Sequence, residues 1–92
     1  MVRLIQIIHS KDEDRYYLSD IFVNPGSVTY MIEDRASSFA NNKSPLVEGL
    51  DRNHEFTKLI IDTGGKTEHV SVLGNVTEVA NKLKNNKQLL RG

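Results

Sequence analysis

The chain has 92 residues, enough for one hydrophobic core and a single domain spanning residues 1–92. Twelve basic and twelve acidic residues give a net charge of zero, which argues against a protein whose main partner is nucleic acid. There is no cysteine, so disulfides cannot stabilise the fold, and this absence fits a reducing compartment.

The N-terminal sequence MVRLIQIIHS predicts a strand. Residues 2–8 are rich in β-branched side chains, and their apolar residues point to both sides of a strand. We therefore expect an interior strand, covered on both faces or completed by another chain. The single basic residue and the short apolar run, interrupted by Gln6, match neither a signal peptide nor a membrane span. We expect a cytoplasmic protein without a membrane partner.

Two further strands are predicted on either side of a turn. Arg15–Val23 is rich in aromatic and β-branched residues, with an interruption expected near Ser19-Asp20, and residues 28–34 alternate apolar and polar side chains. The sequence NPGS lies between them. Pro25 presets φ for the second turn position, and Gly26 permits the positive φ that a type II turn requires next.

Residues 35–55 show no regular pattern. The sequence RASSFANNKSPLVEGLDRNHE is rich in serine, asparagine and charge, and Pro45 and Gly49 interrupt it. We predict a long irregular loop, and such loops are often functional or mobile. Its apolar side chains either anchor the loop to the sheet or contact a protein partner. These candidate partner-binding residues are Phe39, Leu46, Val47 and Leu50.

Phe56–Asp62 and Thr67–Leu73 are predicted to form a hairpin around a tight Thr63-Gly64-Gly65-Lys66 connection. This connection fixes the register, and the apolar residues of the two strands then face each other. The expected pairs are Asp62 with Thr67, Ile60 with His69, Leu59 with Val70, and Thr57 with Val72.

A C-terminal helix completes the predicted fold. Asn75 is a suitable N-cap and Glu78 follows three residues later, an asparagine version of the capping box. Val76, Val79, Ala80 and Leu83 form an apolar stripe that can pack on the sheet. The predicted fold class is α+β: a small, mostly antiparallel sheet of about five strands with one C-terminal helix.

The sequence Asp62-Thr63-Gly64 resembles the active-site signature of aspartic proteases. Retroviral-type proteases are homodimers of chains of similar length, in which each chain supplies one aspartate. Here only nine residues, Gly65 to Leu73, separate Gly64 from Gly74, so there is no chain for the flap that covers a bound peptide. A turn is therefore the favoured interpretation. A protease with Asp62 as catalytic residue is the third hypothesis.

No other motif predicts catalysis, a metal or a cofactor. His9, His54 and His69 are isolated and lack the spacing of metal ligands. No serine-hydrolase motif occurs, and the residues after Gly64-Gly65-Lys66-Thr67 predict a strand rather than the helix of a phosphate-binding loop. We therefore predict a protein that is not an enzyme and has no metal site and no cofactor.

A nucleic-acid-binding regulator is the main alternative. Basic side chains concentrate in the C-terminal helix, and tyrosines on the sheet could stack on bases. The basic residues are Lys82, Lys84, Lys87 and Arg91, and the tyrosines are Tyr16, Tyr17 and Tyr30. Against this alternative, the acidic sequence KDED lies beside two of the tyrosines, and lysines near a helix C-terminus also oppose the helix dipole.

The order of sequence elements is similar to that of FlbD-type small proteins associated with bacterial flagella. The matching pieces are residues 4–8, FVNPGSVTYMIE, TKLIIDTGGKTEHVSV and TEVANKL, about two-thirds of the chain. Residues 35–55 have no counterpart. The resemblance implies a non-enzymatic accessory protein and brings no catalytic residues. Phage-encoded accessory proteins are an alternative origin, since short cysteine-free chains with unusual loops are common among them.

The leading functional hypothesis is a homo-oligomeric interaction module. Both faces of residues 2–8 and 56–61 are apolar, which is more surface than one helix can cover, so a second copy could join through a sheet edge or face. Residues 1–57 carry six basic and nine acidic residues, whereas residues 58–92 carry six and three, a polarity that can orient a partner. A protein partner is expected at residues 35–55 and the hairpin tip.

Overall fold

The computed structural model describes the backbone of residues 1–91 and the side chains of residues 1–84. In this part of the chain there are five strands, two α-helices and one 3-10 turn. The strands are β1 (Val2–Ser10), β2 (Arg15–Val23), β3 (Val28–Glu33), β4 (Phe56–Asp62) and β5 (Thr67–Leu73). The helices are α1 (Arg35–Lys43) and α2 (Val76–Arg91), and the 3-10 turn covers Pro25–Ser27.

The five strands form one antiparallel sheet in the order β2-β1-β5-β4-β3. The predicted small antiparallel sheet is confirmed, and β1 is an interior strand, as its apolar residues on both sides indicated. β1 joins β5 through the pair Gln6 and Val72. The two edge strands are β2 and β3, so each has one side without a strand partner in the described residues.

Different helices lie on the two faces of the sheet. Helix α2 packs on one of them, here called the α2 face, where its Val79 and Leu83 join the main hydrophobic core. The buried strand residues of this core are Val2, Leu4, Val23, Leu59, Val70 and Val72. The opposite face, here called the α1 face, carries the alternate strand residues, because successive residues of a strand point to opposite sides.

Helix α2 begins as predicted. The backbone N–H of Glu78 donates to Asn75 Oδ1 at 2.9 Å, and the backbone N–H of Asn75 donates to Glu78 Oε1 at 3.4 Å. These reciprocal bonds form the predicted capping box. Val79 and Leu83 of the apolar stripe are buried, and the other two residues of the stripe are half-buried. Neither helix, as far as the described residues extend, is long and apolar enough to span a lipid bilayer.

The β4–β5 hairpin has the predicted register. Asp62 lies opposite Thr67, Ile60 opposite His69, Leu59 opposite Val70, and Thr57 opposite Val72. The hairpin is closed by a backbone hydrogen bond from the N–H of Thr63 to the carbonyl of Lys66 at 2.9 Å. Gly64 and Gly65 have φ angles of 72° and 99°, the left-handed region that primed hairpin turns require.

The prediction of an irregular loop over residues 35–55, and with it that of a single helix at the C-terminus, is wrong for residues 35–43. They form helix α1. Asp34 caps this helix, because its side chain accepts a hydrogen bond from the backbone N–H of Ser37 at 3.1 Å. The helix was missed because no apolar stripe faces the sheet.

The predicted type II turn at NPGS is also wrong. Pro25–Ser27 forms a 3-10 turn, and Gly26 is not among the residues with positive φ. The backbone N–H of Gly26 donates to Asn24 Oδ1 at 3.0 Å, and that of Ser27 donates to the Asn24 carbonyl at 2.9 Å. The Asn24 side chain therefore stabilises a turn in which Gly26 does not need a positive φ.

Gly65→Ala is expected to destabilise the protein by about 1–2 kcal/mol, because an L-residue is strained at this φ. A Cβ at position 65 would meet no atom within 4 Å, so the loss would come from the backbone alone. Urea unfolding followed by circular dichroism measures it. Gly26→Ala is the control with an ordinary φ and should cost less. Equal losses in the two variants would contradict the strained-turn explanation.

Candidate interaction surface

Helix α1 turns its polar side toward the rest of the protein. Asn41 is fully buried, and Ser37 and Ser38 are half-buried. The opposite side of the helix is exposed, and it carries the helix's apolar residues Ala36, Phe39 and Ala40. The Phe39 side chain is 64% exposed. Apolar side chains of a surface helix normally face the core, so the orientation of α1 is the reverse of the usual one.

Asn41 takes the place of an apolar anchor. Its Nδ2 donates to the carbonyl of Asp51 at 2.9 Å and to that of His54 at 3.4 Å. Its Oδ1 accepts from the backbone N–H of Leu46 at 2.9 Å. A single buried amide thus satisfies three backbone groups of the segment that follows α1, which lets this segment pack without regular secondary structure.

Asp34 attaches the start of α1 to the sheet. Its carboxylate is buried, and it accepts hydrogen bonds from the Ser37 backbone N–H at 3.1 Å, from Ser37 Oγ at 2.8 Å and from Ser71 Oγ on β5. Burial raises the pKa of Asp34, but the hydrogen bonds from Ser71 and Ser37, with the charge of Lys58, outweigh it and lower this pKa below its ordinary value. The ionised carboxylate is therefore the stable form in the folded protein.

A second bond positions α1 over the sheet. Ser38 Oγ accepts from the backbone N–H of Phe56 at 2.9 Å, at the start of β4. Ser71 of β5, which donates to Asp34, lies opposite Lys58 of β4. Lys58 in turn lies opposite Ile32 of β3. Directly opposite residues share a face of the sheet, so α1 lies on the face that carries Ile32.

Most exposed large hydrophobic side chains lie on this α1 face or on α1 itself. Seven such side chains are exposed, and five of them belong to this group. The five are Tyr16 and Phe22 of β2, Tyr30 and Ile32 of β3, and Phe39 of α1. Because β2 and β3 are opposite edges of the sheet, the five residues fall into two patches.

Tyr30 and Ile32 of β3 and Phe39 of α1, the exposed large apolar residues of two consecutive elements, are here called the α1–β3 surface. Tyr30 is 52% exposed and Ile32 is 48% exposed. Lys43 Nζ lies 4.7 Å from the centroid of the Phe39 ring, a cation–π contact at the end of the helix. A basic group therefore lies directly over one of the three apolar side chains of this surface.

The predicted partner-binding residues divide into two groups. Phe39 lies on the α1–β3 surface, whereas Leu46, Val47 and Leu50 are half-buried in the segment after α1. Tyr30 and Ile32 were not among the predicted site residues. The alternation of residues 28–34 showed that they share a face, but the sequence did not show that α2 covers the other one.

The basic alternative site is only partly described. Lys82 and Lys84 are exposed on α2, while the side chains of Lys87 and Arg91 lie outside the described residues. Tyr16 and Tyr30 lie on the α1 face and Tyr17 on the α2 face, because each alternates with its neighbours in the sheet. The tyrosines therefore do not form one stacking platform, and nucleic-acid binding stays a prediction.

Asp62 lies exposed at the hairpin, where its Oδ1 accepts from the backbone N–H of Gly65 at 3.4 Å. His9 contacts Asp14 at 3.3 Å and packs on Tyr16 with the ring centroids 4.6 Å apart. Among the described side chains, no group of three potential metal ligands comes together.

A shallow groove of about 340 Å³ runs between α2 and the edge strand β3. Its lining residues are mainly apolar, and two of them, Tyr30 and Lys84, carry an ionisable side chain. The lining residues are Pro25, Val28, Thr29, Tyr30, Met31, Leu83 and Lys84. This composition suits apolar contact better than chemistry.

Comparison with known proteins assigns no family to this geometry. The chain matches no protein-family model, no curated protein and no solved structure. Its function has to be inferred from the contacts of its own residues.

Asp34→Asn is expected to lower the free energy of unfolding by about 1–3 kcal/mol at neutral pH, because the charged acceptor of three hydrogen bonds is lost. Since the folded-state pKa of Asp34 is lowered, the ionised carboxylate contributes stability above the unfolded-state pKa, and the contribution is lost as the pH falls through the folded-state pKa. The difference between wild type and variant should therefore shrink in acid. Urea unfolding between neutral pH and about pH 3 tests this.

Asp62→Asn is the matched control, because this aspartate is exposed. It should change stability by less than about 0.5 kcal/mol. A gap between wild type and Asp34→Asn that stays constant with pH would show that the charge of Asp34 does not stabilise the fold.

Proposed function

We propose that this protein is a non-enzymatic interaction module that self-associates through its sheet and binds a protein partner on the α1–β3 surface. The observation that carries the proposal is the orientation of α1. Its polar side makes the intramolecular contacts, and Phe39 points outward beside an edge strand that also exposes Tyr30 and Ile32. Three large apolar side chains exposed on two consecutive elements exceed the single, scattered exposure that is normal on a protein surface.

The geometry of α1 favours binding over simple exposure. Two contacts, from Asp34 to Ser71 and from Phe56 to Ser38, fix the helix to the sheet, and the two ends of the Asn41 amide fix it to the segment that follows. Phe39 therefore lies on an ordered element. Binding a partner there would cost this protein little conformational entropy. A large aromatic side chain in the centre of a patch is typical of a residue that contributes strongly to binding.

The charges around this surface indicate the character of the partner. Arg35 at the start of α1 is paired with Glu33 at 3.3 Å, and Lys43 lies over Phe39. The surface thus combines apolar side chains with a neutral pair at Arg35 and a positive charge at Lys43. The half-buried Lys58, opposite Ile32 on the same face, acts on the Asp34 carboxylate. A partner with an apolar patch next to one acidic group would match it.

Phe39→Asp should reduce capture of the partner at least tenfold, because the change places a charge at the centre of an apolar interface. The measurement is affinity purification of the tagged protein from its native host, quantified by mass spectrometry against wild type. Asn81→Asp is the control, since it adds the same charge at an exposed position of α2, on the opposite face of the sheet. Urea unfolding establishes that both variants fold. Equal recovery of the same partner with wild type and Phe39→Asp would overturn the proposed surface.

Self-association is tested on the purified protein. We expect a dimer or larger oligomer at micromolar concentration in size-exclusion chromatography with light scattering, because seven large hydrophobic side chains of the described residues are exposed in the single chain. A monomeric mass at these concentrations would remove the oligomer from the proposal.

A further inference from the structure

The two edges of the sheet differ in how they are protected against further pairing. β3 has six residues, and its pairing with β4 shifts register between Val28 and Tyr30. β2 has nine residues, and every one of them pairs with β1 without interruption. Short or bulged edge strands resist added strands, whereas long regular ones accept them. The β2 edge is the more available of the two.

β2 also lacks the side chains that usually protect an edge. Its sequence RYYLSDIFV contains neither lysine nor proline. Its two charged residues already have partners on the same chain: Arg15 contacts Glu13 at 2.7 Å, and Asp20 contacts Arg3 at 3.5 Å. An approaching strand would therefore meet no unpaired charge on β2 and a continuous row of backbone groups.

We propose that β2 pairs with β2 of a second copy of this chain, antiparallel, about a two-fold axis perpendicular to the sheet that passes midway between Ser19 and its copy. This inference rests on the proposed self-association and names the surface that performs it. Such an axis keeps the faces of the two sheets continuous. The side chains that meet across it are Ser19 with Ser19, Leu18 with Asp20, Tyr17 with Ile21, Tyr16 with Phe22, and Arg15 with Val23.

The side chains favour this register over its neighbours. On the α1 face, Tyr16 would lie opposite Phe22, which is 63% exposed in the single chain. On the α2 face, Tyr17 would lie opposite Ile21. Aromatic pairs and aromatic–β-branched pairs are among the stabilising cross-strand combinations. The exposed apolar residues of β2 would thereby bury one another.

Neighbouring registers are worse for identifiable reasons. An axis between the two copies of Asp20 would place two carboxylates directly opposite each other, and like charges in that position are destabilising. An axis between the two copies of Leu18 would leave Phe22 and Val23 beyond the end of the partner strand. A shift of the pairing by a single residue would place the α1 face of one copy beside the α2 face of the other. The axis between the two copies of Ser19 pairs all nine residues of the strand.

The chain offers a direct test because it has no cysteine. Residues directly opposite in antiparallel strands have Cβ atoms about 4.5–5.5 Å apart, and a small shift of the strands brings them within the roughly 3.5–4.5 Å of a disulfide. Ser19→Cys should therefore form a covalent dimer under mild oxidation with oxidised glutathione, seen on a non-reducing gel. Thr29→Cys is the control, since Thr29 is exposed on the other edge strand. It should form at least tenfold less dimer in the same time.

A second pair of variants gives an independent measurement. Ser19→Lys would place two like charges across the axis and should weaken the dimer at least tenfold in analytical ultracentrifugation, whereas Thr29→Lys should leave it unchanged. Circular dichroism verifies the fold of each variant, and the lysine pair decides the matter if Ser19→Cys does not fold.

The outcomes separate this inference from the proposed function. If wild type is dimeric but Ser19→Cys cross-links no faster than Thr29→Cys and Ser19→Lys keeps the dimer, the β2 edge is not the interface and self-association occurs elsewhere. If wild type is monomeric, both the self-association and this interface are overturned.

Discussion

The Asp34 carboxylate determines how the second helix is placed. Asp34 directly follows β3, its side chain caps α1, and the same side chain accepts a hydrogen bond from Ser71 on β5. One residue thus connects three elements. Burying a carboxylate costs free energy unless its oxygens accept hydrogen bonds, and here three donors provide them. Because α1 is attached by polar groups, its polar side must face inward. The exposure of Phe39 follows from this attachment.

The elements that were predicted correctly are those in which apolar residues face the core. The β4–β5 register followed from two adjacent glycines and alternating side chains, and α2 followed from a capping box and an apolar stripe. Helix α1 obeys the opposite rule, since Ser37, Ser38 and Asn41 face inward. Pattern recognition based on apolar periodicity cannot detect such a helix. The local signal was Asp34 three residues before Ser37.

The candidate surface was predictable only in part, for a related reason. Phe39 was selected as an apolar residue in a polar segment, whereas Tyr30 and Ile32 looked like ordinary strand residues. Alternation assigns strand residues to two faces but does not say which face a helix covers. That depends on the crossing of α2 over the sheet, which is a tertiary contact. Exposed apolar residues on the remaining face become informative only once α2 is placed.

The topology gives the two apolar patches separate roles. Tyr16 and Phe22 lie on the β2 edge, and Tyr30, Ile32 and Phe39 lie at the β3 edge, with three strands between them. A two-fold axis perpendicular to the sheet leaves the α1 faces of both copies on the same side. Two copies of the α1–β3 surface would then point in one direction, at the two outer ends of a continuous sheet. A partner with two binding sites could contact both copies, and the second contact would be favoured by effective concentration without any new interaction.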